Sequence, residues 1–354
     1  MFQRLIIHLR KWKSRISIRS IPLFGAFITG LCLSVLFAAC TADNGSNTTA
    51  VSVNNPNANK ASVIRIGYQK SAILLKNKGL LEKRLNPEGV SVEWLEFAAG
   101  PQLLEAMNVG SIDFGHVGES PPIFAQAAGA AITYIAGIIP SPAGSAILVN
   151  KDSPIQTVQE LKGKKIAFQR GSSAHYMLVQ ILEKYGLQYS DIEAVFLAPA
   201  DARAAFFRGS VDAWAIWDPF YAAAEESANA RKLIDGTGIN KQGGYYLASQ
   251  TFAAQQQEII KAVLEEIQEL ETWSTENREE VAATLAPILG IELETLRTST
   301  NRRTFGITPI TPELITLQQE VADKFYELNL IPKQINVREA MLTPEQYAAL
   351  SPKS

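Results

Sequence analysis

The stretch Lys165–Tyr185, KIAFQRGSSAHYMLVQILEKY, decides how this chain is read. Its first residues, Lys165–Gln169, make a short run with Ile166 and Phe168 at period two, which reads as a strand. Ser173–Tyr185 then places Leu178, Ile181, Leu182 and Tyr185 at i, i+3, i+4 and i+7, one face of an amphipathic helix. A strand that passes through a glycine straight into a helix is the building unit of α/β folds. The Gly171-Ser172-Ser173 turn also brings the unpaired N–H groups and positive end of a helix beside two hydroxyls, a combination suited to an oxyanion. The plainer reading is that Ser172 or Ser173 simply caps the helix. The pattern is neither G-x-x-x-x-G-K-[ST] nor G-x-G-x-x-G, so it does not point to a nucleotide.

Working outward, strand-like and helix-like runs alternate on both sides. Towards the N-terminus the strands are Ser62–Tyr68, Val90–Phe97 at period two, Phe114–Val117, Ile132–Ile139 and Ser145–Asn150. Leu74–Leu85 reads as one helix, Pro101 opens another through Asn108, and Thr157–Lys162 is a short one. Beyond the opening stretch, Ile192–Leu197 and Val211–Ile216 are strands. Asp218-Pro219 then reads as an N-cap with proline at the first helical position, starting a helix through Glu226. From Phe252 onward long amphipathic helices dominate, at Gln255–Ser274, Arg278–Leu289 and Thr311–Leu328. The alternation predicts βαβ units in largely parallel sheets, forming two α/β lobes with a helical C-terminal tract packed back on one. A length of 354 residues suits two or three domains at roughly 100–200 residues each.

Three further places put polar groups where strands end, which is where open α/β sheets hold ligands. Gly118-Glu119-Ser120-Pro121-Pro122 follows the Phe114–Val117 strand; Glu119 either orients a ligand amine or solvates a loop. Pro142-Ala143-Gly144-Ser145 is a turn with one hydroxyl. Trp214-Ala215-Ile216-Trp217-Asp218 ends a strand with Trp217 placed to wall a pocket, although core packing is the commoner fate of a tryptophan. Catalytic arrangements are poorly supplied. His116 and His175 are the two histidines beyond residue 40, without the spacing of a zinc site, and no G-x-S-x-G elbow surrounds Ser173. No metal or cofactor is expected.

The formal charge of −2 conceals an asymmetry. Residues 1–40 carry six basic side chains and no acidic ones. The other 27 basic residues face 35 acidic ones, so the body carries about −8, which disfavours nucleic acid as a partner. After the basic stretch, Ile21–Ala39 is uncharged and ends in Ala38-Ala39-Cys40. A positive flank, an apolar run and small residues before a cut describe an export signal. The run is also long enough for an uncleaved membrane anchor, and plain secretion is a third possibility. The small-small-Cys ending resembles the lipobox of bacterial lipoproteins, which makes 1–39 a lipoprotein signal peptide, Cys40 the lipidated mature N-terminus, and the body an outward-facing domain. Cys32 and Cys40 are the only cysteines, so the body has neither a disulfide nor a thiolate nucleophile. Residues 40–61, rich in Asn, Ser and Thr, read as a flexible tether.

The stretch from Ser145 to Glu225, together with IRIGYQK at 64–70 near the start of the body and GESPPIFAQAAGA at 118–130, resembles the aliphatic sulfonate-binding proteins of bacterial ABC importers. The resemblance spans about residues 62–345. It implies a type II periplasmic binding protein: two α/β lobes, a ligand cleft and two hinge crossovers, near Ser145–Lys151 and Gly243–Ala248. The lobes would be 62–147, 148–244 and 245–345, the last returning to lobe 1, with 346–354 a tail. Carried over residue by residue, Gly171, Ser172 and Ser173 would hold the sulfonate, helped by Gln69, Gly118, Glu119, Ser120 and Ser145. His175, Trp217 and Asp218 would line the cleft. The implied protein is a monomer and not an enzyme. It would capture a small organosulfonate outside the cytoplasmic membrane, in the periplasm or on the membrane's outer face, and pass it to a permease and its ATPase for sulfur supply. Binding of taurine, nitrate or a thiamine precursor on the same fold is the alternative, and an enzyme on that fold a more distant one.

Overall fold

In this computed structural model the described residues are 61–351 apart from Ala228. The expected signal segment, Cys40 and nearly all of the tether lie outside them. The first lobe opens with β1 (Val63–Tyr68), whose Ile64 and Ile66 turn inward. The expected helix Leu74–Leu85 is two helices, α1 (Ile73–Asn77) and α2 (Leu80–Leu85), because Gly79 between them adopts a left-handed φ of 60°. Next come β2 (Ser91–Glu96), α3 (Gly100–Asn108), β3 (Phe114–Val117), α4 (Ser120–Ala127) and β4 (Ile132–Ile138).

The second lobe is built from β5 (Ser145–Asn150), β6 (Lys165–Phe168), α5 (Ser173–Lys184), β7 (Glu193–Phe196), α6 (Pro199–Phe207), β8 (Ala213–Trp217), α7 (Phe220–Glu226) and β9 (Ala230–Asp235). Strand β9 has no counterpart in the sequence reading: its ARKLID carries charges at three of six positions, which hides the alternation of an edge strand. The chain then returns through β10 (Tyr245–Ser249), α8 (Gln250–Gln255), α9 (Gln257–Glu276), α10 (Arg278–Leu289), α11 (Leu293–Arg302), β11 (Ile307–Thr308), α12 (Pro312–Glu327) and α13 (Pro344–Leu350).

The strands form a six-stranded sheet, β11-β4-β10-β3-β1-β2, and a five-stranded sheet, β7-β6-β8-β5-β9. Pairing is parallel where the βαβ pattern predicts it, among β1, β2 and β3 and among β6, β7 and β8. The sheets are nevertheless mixed and not largely parallel. Strands β5 and β10 each enter from the opposite lobe and so run antiparallel to both neighbours, and β11 is antiparallel to β4. Helices cover both faces of each sheet, which is why most strand residues are apolar on both sides.

Two expected boundaries move. Strand β5 belongs whole to the second sheet, so the first passage between lobes is residues 139–144, ahead of the expected Ser145–Lys151 and of a boundary at 147. The return passage, 236–244, runs against the first. The Ile138 N–H donates to the Gly244 carbonyl at 3.0 Å, and a Cβ on Gly243 would lie 2.5 Å from the carbonyl oxygens of Ile138 and Ile139. Only glycine allows that approach. The described part of the expected tail, 346–351, is docked: Thr343 and Gln346 form a capping box for α13, Leu350 is buried, and the Tyr347 hydroxyl donates to the Tyr134 carbonyl at 2.9 Å.

Candidate functional site

Five chain segments end at one cavity of about 250 Å³ between the lobes. They bring Gln69 from the end of β1, Gly118 and Glu119 from the end of β3, Ser145 from the start of β5, Ser172 and Ser173 from the start of α5, and Trp217 and Asp218 from the end of β8. Eight of the eleven expected site residues therefore meet there. Strand ends of both sheets open onto it, as in α/β ligand sites generally.

The α5 turn supplies the donors. Gly171 takes a φ of 70°, and Ser172, extended at φ −91° and ψ 169°, occupies the cap position. Its hydroxyl donates back to the Gln169 carbonyl at 2.7 Å and not into the helix. The His175 and Tyr176 N–H groups both bond to the Ser172 carbonyl, whereas those of Ser173 and Ala174 have no partner among the described residues. The Ser173 hydroxyl faces the other lobe, 1.7 Å from where a Cβ on Gly118 would stand.

Three expected residues are placed elsewhere. His175 is wholly buried. It accepts the Gly171 N–H on Nδ1 at 3.2 Å, so in the neutral ring Nε2 carries the proton and donates to the Tyr189 hydroxyl at 3.1 Å. Its ring lies 4.8 Å from that of Phe168, and burial together with the Arg170 charge pushes its pKa down to about 3. This residue locks the turn from behind; it does not line the cleft. Gly171 also sits outside the cavity, packed on the Phe124 ring. Ser120 is 0% exposed and donates to the Glu119 carboxylate at 3.1 Å, so it too cannot reach a ligand.

Glu119 is buried among these groups. Loss of hydration pushes its pKa up to about 7, against the opposing pull of its own backbone and of the Ser120 and Ser173 hydroxyls. The Glu119 carbonyl accepts from Gln318 Nε2 at 2.7 Å, fixing the start of α4. Gln69 donates through Nε2 to the His116 carbonyl at 3.1 Å, so its side chain holds β1 to β3 at the rim. Asp218 caps α7 from two residues before its start, accepting the Ala222 N–H on Oδ1 at 2.9 Å, while Pro219 takes the cap position expected of Asp218. Burial raises the Asp218 pKa to about 6, although Arg302 of α11, 3.5 Å away, pulls it down.

Residues that the sequence reading did not assign to the site complete the walls. Arg303 enters from the end of α11 and pairs with Glu271 at 2.8 Å, while Glu271 also accepts the Gly306 N–H at 2.8 Å. His116, held neutral by burial and by Arg303 with a pKa near 4, and Tyr246 line the first-lobe side. Asn240, Ser141 and Thr304 come from the two passages and the loop after α11. Nothing local marks Arg303 or Thr304, which arrive through the return of the C-terminal tract to the first lobe.

The family described as NMT1/THI5 like matches residues 85–280, more than half of the chain, and the chain belongs to that family. An Escherichia coli (strain K12) protein provisionally named an aliphatic sulfonates-binding protein is 46% identical over 287 residues, covering 80% of this chain and 89% of that one. Among solved structures, the alkanesulfonate-binding protein SsuA from Xanthomonas axonopodis pv. citri, bound to MOPS, superposes with a TM-score of 0.78 at 41% identity, covering 80% of this chain and 99% of that one. The periplasmic aliphatic sulphonate binding protein SsuA from Escherichia coli gives a TM-score of 0.73 at 45% identity, over 80% and 93% of the two chains. The two mixed sheets and their helices are thus the type II periplasmic binding protein fold.

Proposed function

We propose that this chain is the solute-binding component of an ABC importer, and that it captures small organosulfonates outside the cytoplasmic membrane for sulfur supply. The observation that carries the reading is the α5 start: the Ser173 and Ala174 N–H groups lack partners among the described residues, and Ser173 itself lines a cavity shared by both lobes. A sulfonate is a permanent monoanion with three acceptor oxygens and no proton to give. Neutral donors at a helix start satisfy it without burying an unpaired cation. Gly118 lets the first lobe close onto that head group, with Gln69, Ser145, Trp217 and Asp218 around it. The relatives named for sulfonate binding support the same choice. In this reading the chain works as a monomeric binder, not an enzyme, and delivers its ligand to a permease and, through it, an ATPase. Cys40 would carry the lipid that holds the body at the membrane's outer face, an assignment that intact-mass analysis of the exported protein checks directly.

Calorimetry and thermal melting with methanesulfonate, taurine, acetate, nitrate and a thiamine precursor test the head-group assignment. At 100 times its Kd a ligand stabilises the fold by about 2.7 kcal/mol. Sulfonates should do so and acetate should not, because a planar two-oxygen head leaves donors unpaired. Stabilisation by nitrate or the thiamine precursor, with none by sulfonates, would replace this reading with the corresponding one on the same fold.

A further inference from the structure

Two adjacent arginines at the end of α11 serve different lobes. Arg303 pairs with Glu271 of α9, and Arg278 of α10 donates to the Thr300 and Arg303 carbonyls at 2.6 and 2.8 Å, so this helix end is tied to the first lobe. Arg302 turns the other way. Its charge partners among the described residues all stand on the second lobe. They are the Asp218 carboxylate at 3.5 Å, the Glu225 carboxylate of α7, which accepts from Nη2, and the Tyr221 ring, whose centre lies 3.9 Å from the guanidinium carbon. Helices α7 and α11 pack against each other at this seam.

A second ion pair crosses between the lobes, Lys324 of α12 with Glu183 of α5 at 2.9 Å, but it is of a weaker kind. The Glu183 side chain is 46% exposed, and Lys324 also bonds Glu327 on its own helix at 2.6 Å. Solvent and a rival partner leave such a pair little to contribute. The Arg302 and Asp218 side chains are only 20% and 11% exposed. Arg302 Nη1, Asp218 Oδ2 and the Tyr221 hydroxyl are buried and have no hydrogen-bond partner among the described residues. A nearly dry group of charges with bonds unmet roughly breaks even against hydration while it stays paired, so it does not weld the lobes shut. Removing one member is a different matter, because the remaining charge is then buried without compensation.

We propose that Arg302 is the latch of the closed form, a positioning residue outside the cavity lining that sets how long the closed cleft holds its ligand. The inference rests on the reading of the chain as a solute binder whose lobes part to exchange ligand. With the lobes apart, Arg302, Asp218 and Glu225 are each hydrated and cost nothing. With the lobes together, the guanidinium neutralises two carboxylates that otherwise face each other across the seam. Loss of the arginine therefore penalises the closed form alone, and truncating one member of a buried charge pair acts on the rate of release and not on the rate of encounter.

Stopped-flow fluorescence of the exported protein with methanesulfonate is the test, since Trp217 lines the cavity and reports on its occupation. Arg302→Gln should speed dissociation at least tenfold and leave the association rate within about twofold. Glu225→Gln, an isosteric change at a partly exposed position of the other lobe, should speed dissociation about threefold and serves should the first variant melt early. The double variant should release ligand no faster than Arg302→Gln alone, because both changes break one bridge. Lys324→Ala should leave both rates within about twofold. Unchanged dissociation in both single variants, or a fall in ligand-free melting temperature with no change in release, would overturn the latch and leave the sulfonate reading standing. If sulfonates fail and nitrate or the thiamine precursor binds instead, the same rates measured with that ligand decide the latch while the head-group reading falls. Binding of none of them would overturn both.

Discussion

Two helices begin at the cleft, one from each lobe, and they begin in opposite ways. Helix α5 starts with Ser172-Ser173-Ala174 and leaves two N–H groups without partners among the described residues. Helix α4 starts with Ser120-Pro121-Pro122, so its first turn has two residues with no N–H to offer, and a buried carboxyl stands at its cap. The same strand-to-helix geometry thus produces an anion cradle on one lobe and a donor-poor wall on the other. A helix start is a site only when its side chains leave the donors free. The α4 start contributes instead a glycine that admits close approach and a carboxyl that holds a proton near neutrality.

The most severe way to break this pairing is to give the wall a side chain. At Gly118 a Cβ would stand 1.7 Å from the Ser173 hydroxyl and 3.0 Å from its Cβ, so Gly118→Val forces the lobes apart where they meet. Sulfonate affinity should fall at least a hundredfold, about 2.7 kcal/mol, as read by calorimetry. The melting temperature without ligand should shift by only a few degrees, since an open cleft has room for the valine. Retained affinity would mean that the lobes do not close on the ligand at this point.

Removing the hydroxyl on the other side is milder. Ser173 is the first helical residue and makes no capping bond, so Ser173→Ala should cost roughly 1–2 kcal/mol of binding, about tenfold, and little stability. The reverse result, lost stability with intact affinity, would make Ser173 the mere cap that the sequence left open.

How much of this was readable beforehand follows from where each signal lives. The turn residues Ser172-Ser173 and Gly118-Glu119 are punctuation between a strand and a helix, and such punctuation is local, so their place at the cleft could be anticipated. Whether His175 faced the ligand or the core was not local. A histidine three residues into a helix can point either way, and of the aromatic rings that bury it only Phe168 is near in sequence; Phe124 and Phe325 come from distant segments. Arg303 and Glu271 were illegible for the same reason: they lie in a helical tract with no motif and reach the cavity only through the return of the chain. The mixed sheets escaped notice because a βαβ pattern specifies neighbours within a lobe but not the direction in which a strand enters from the other lobe.

Glu119 sharpens the contrast between the two helix starts through pH. The folded protein holds this proton up to about pH 7, against an ordinary value of 4.5. The stability it contributes is therefore fully present below pH 4.5 and lost as pH rises through 7. The buried His175 acts in the opposite sense: its contribution is present above its ordinary value of 6.5 and lost as pH falls towards 3. A bound monoanion beside Glu119 should hold the proton more tightly still, so sulfonate affinity should decline between pH 6 and pH 8. If the bound anion moves the Glu119 titration midpoint up by about one pH unit, the decline is at most about tenfold. Glu119→Gln, neutral at every pH, should flatten that decline while still binding; an unaltered pH profile in this variant would assign the titration to another group, with Asp218 next in line.

The smallest effect separates the two adjacent serines of the α5 turn. Ser172 lines the cavity, and a ligand contact would be its obvious role, yet its hydroxyl is committed to the Gln169 carbonyl at 2.7 Å. That bond closes the turn which aims the Ser173 and Ala174 N–H groups, and His175 secures the same turn from the core side by accepting the Gly171 N–H. With two braces on one turn, loss of one should be tolerated. Ser172→Ala should lower stability by about 1 kcal/mol, the scale of one neutral hydrogen bond, and change methanesulfonate affinity by less than twofold. Urea denaturation and calorimetry on the same preparation read the two quantities separately. A tenfold loss of affinity without loss of stability would show that the hydroxyl turns to the ligand on binding, and would make both serines, and not Ser173 alone, part of the anion cradle.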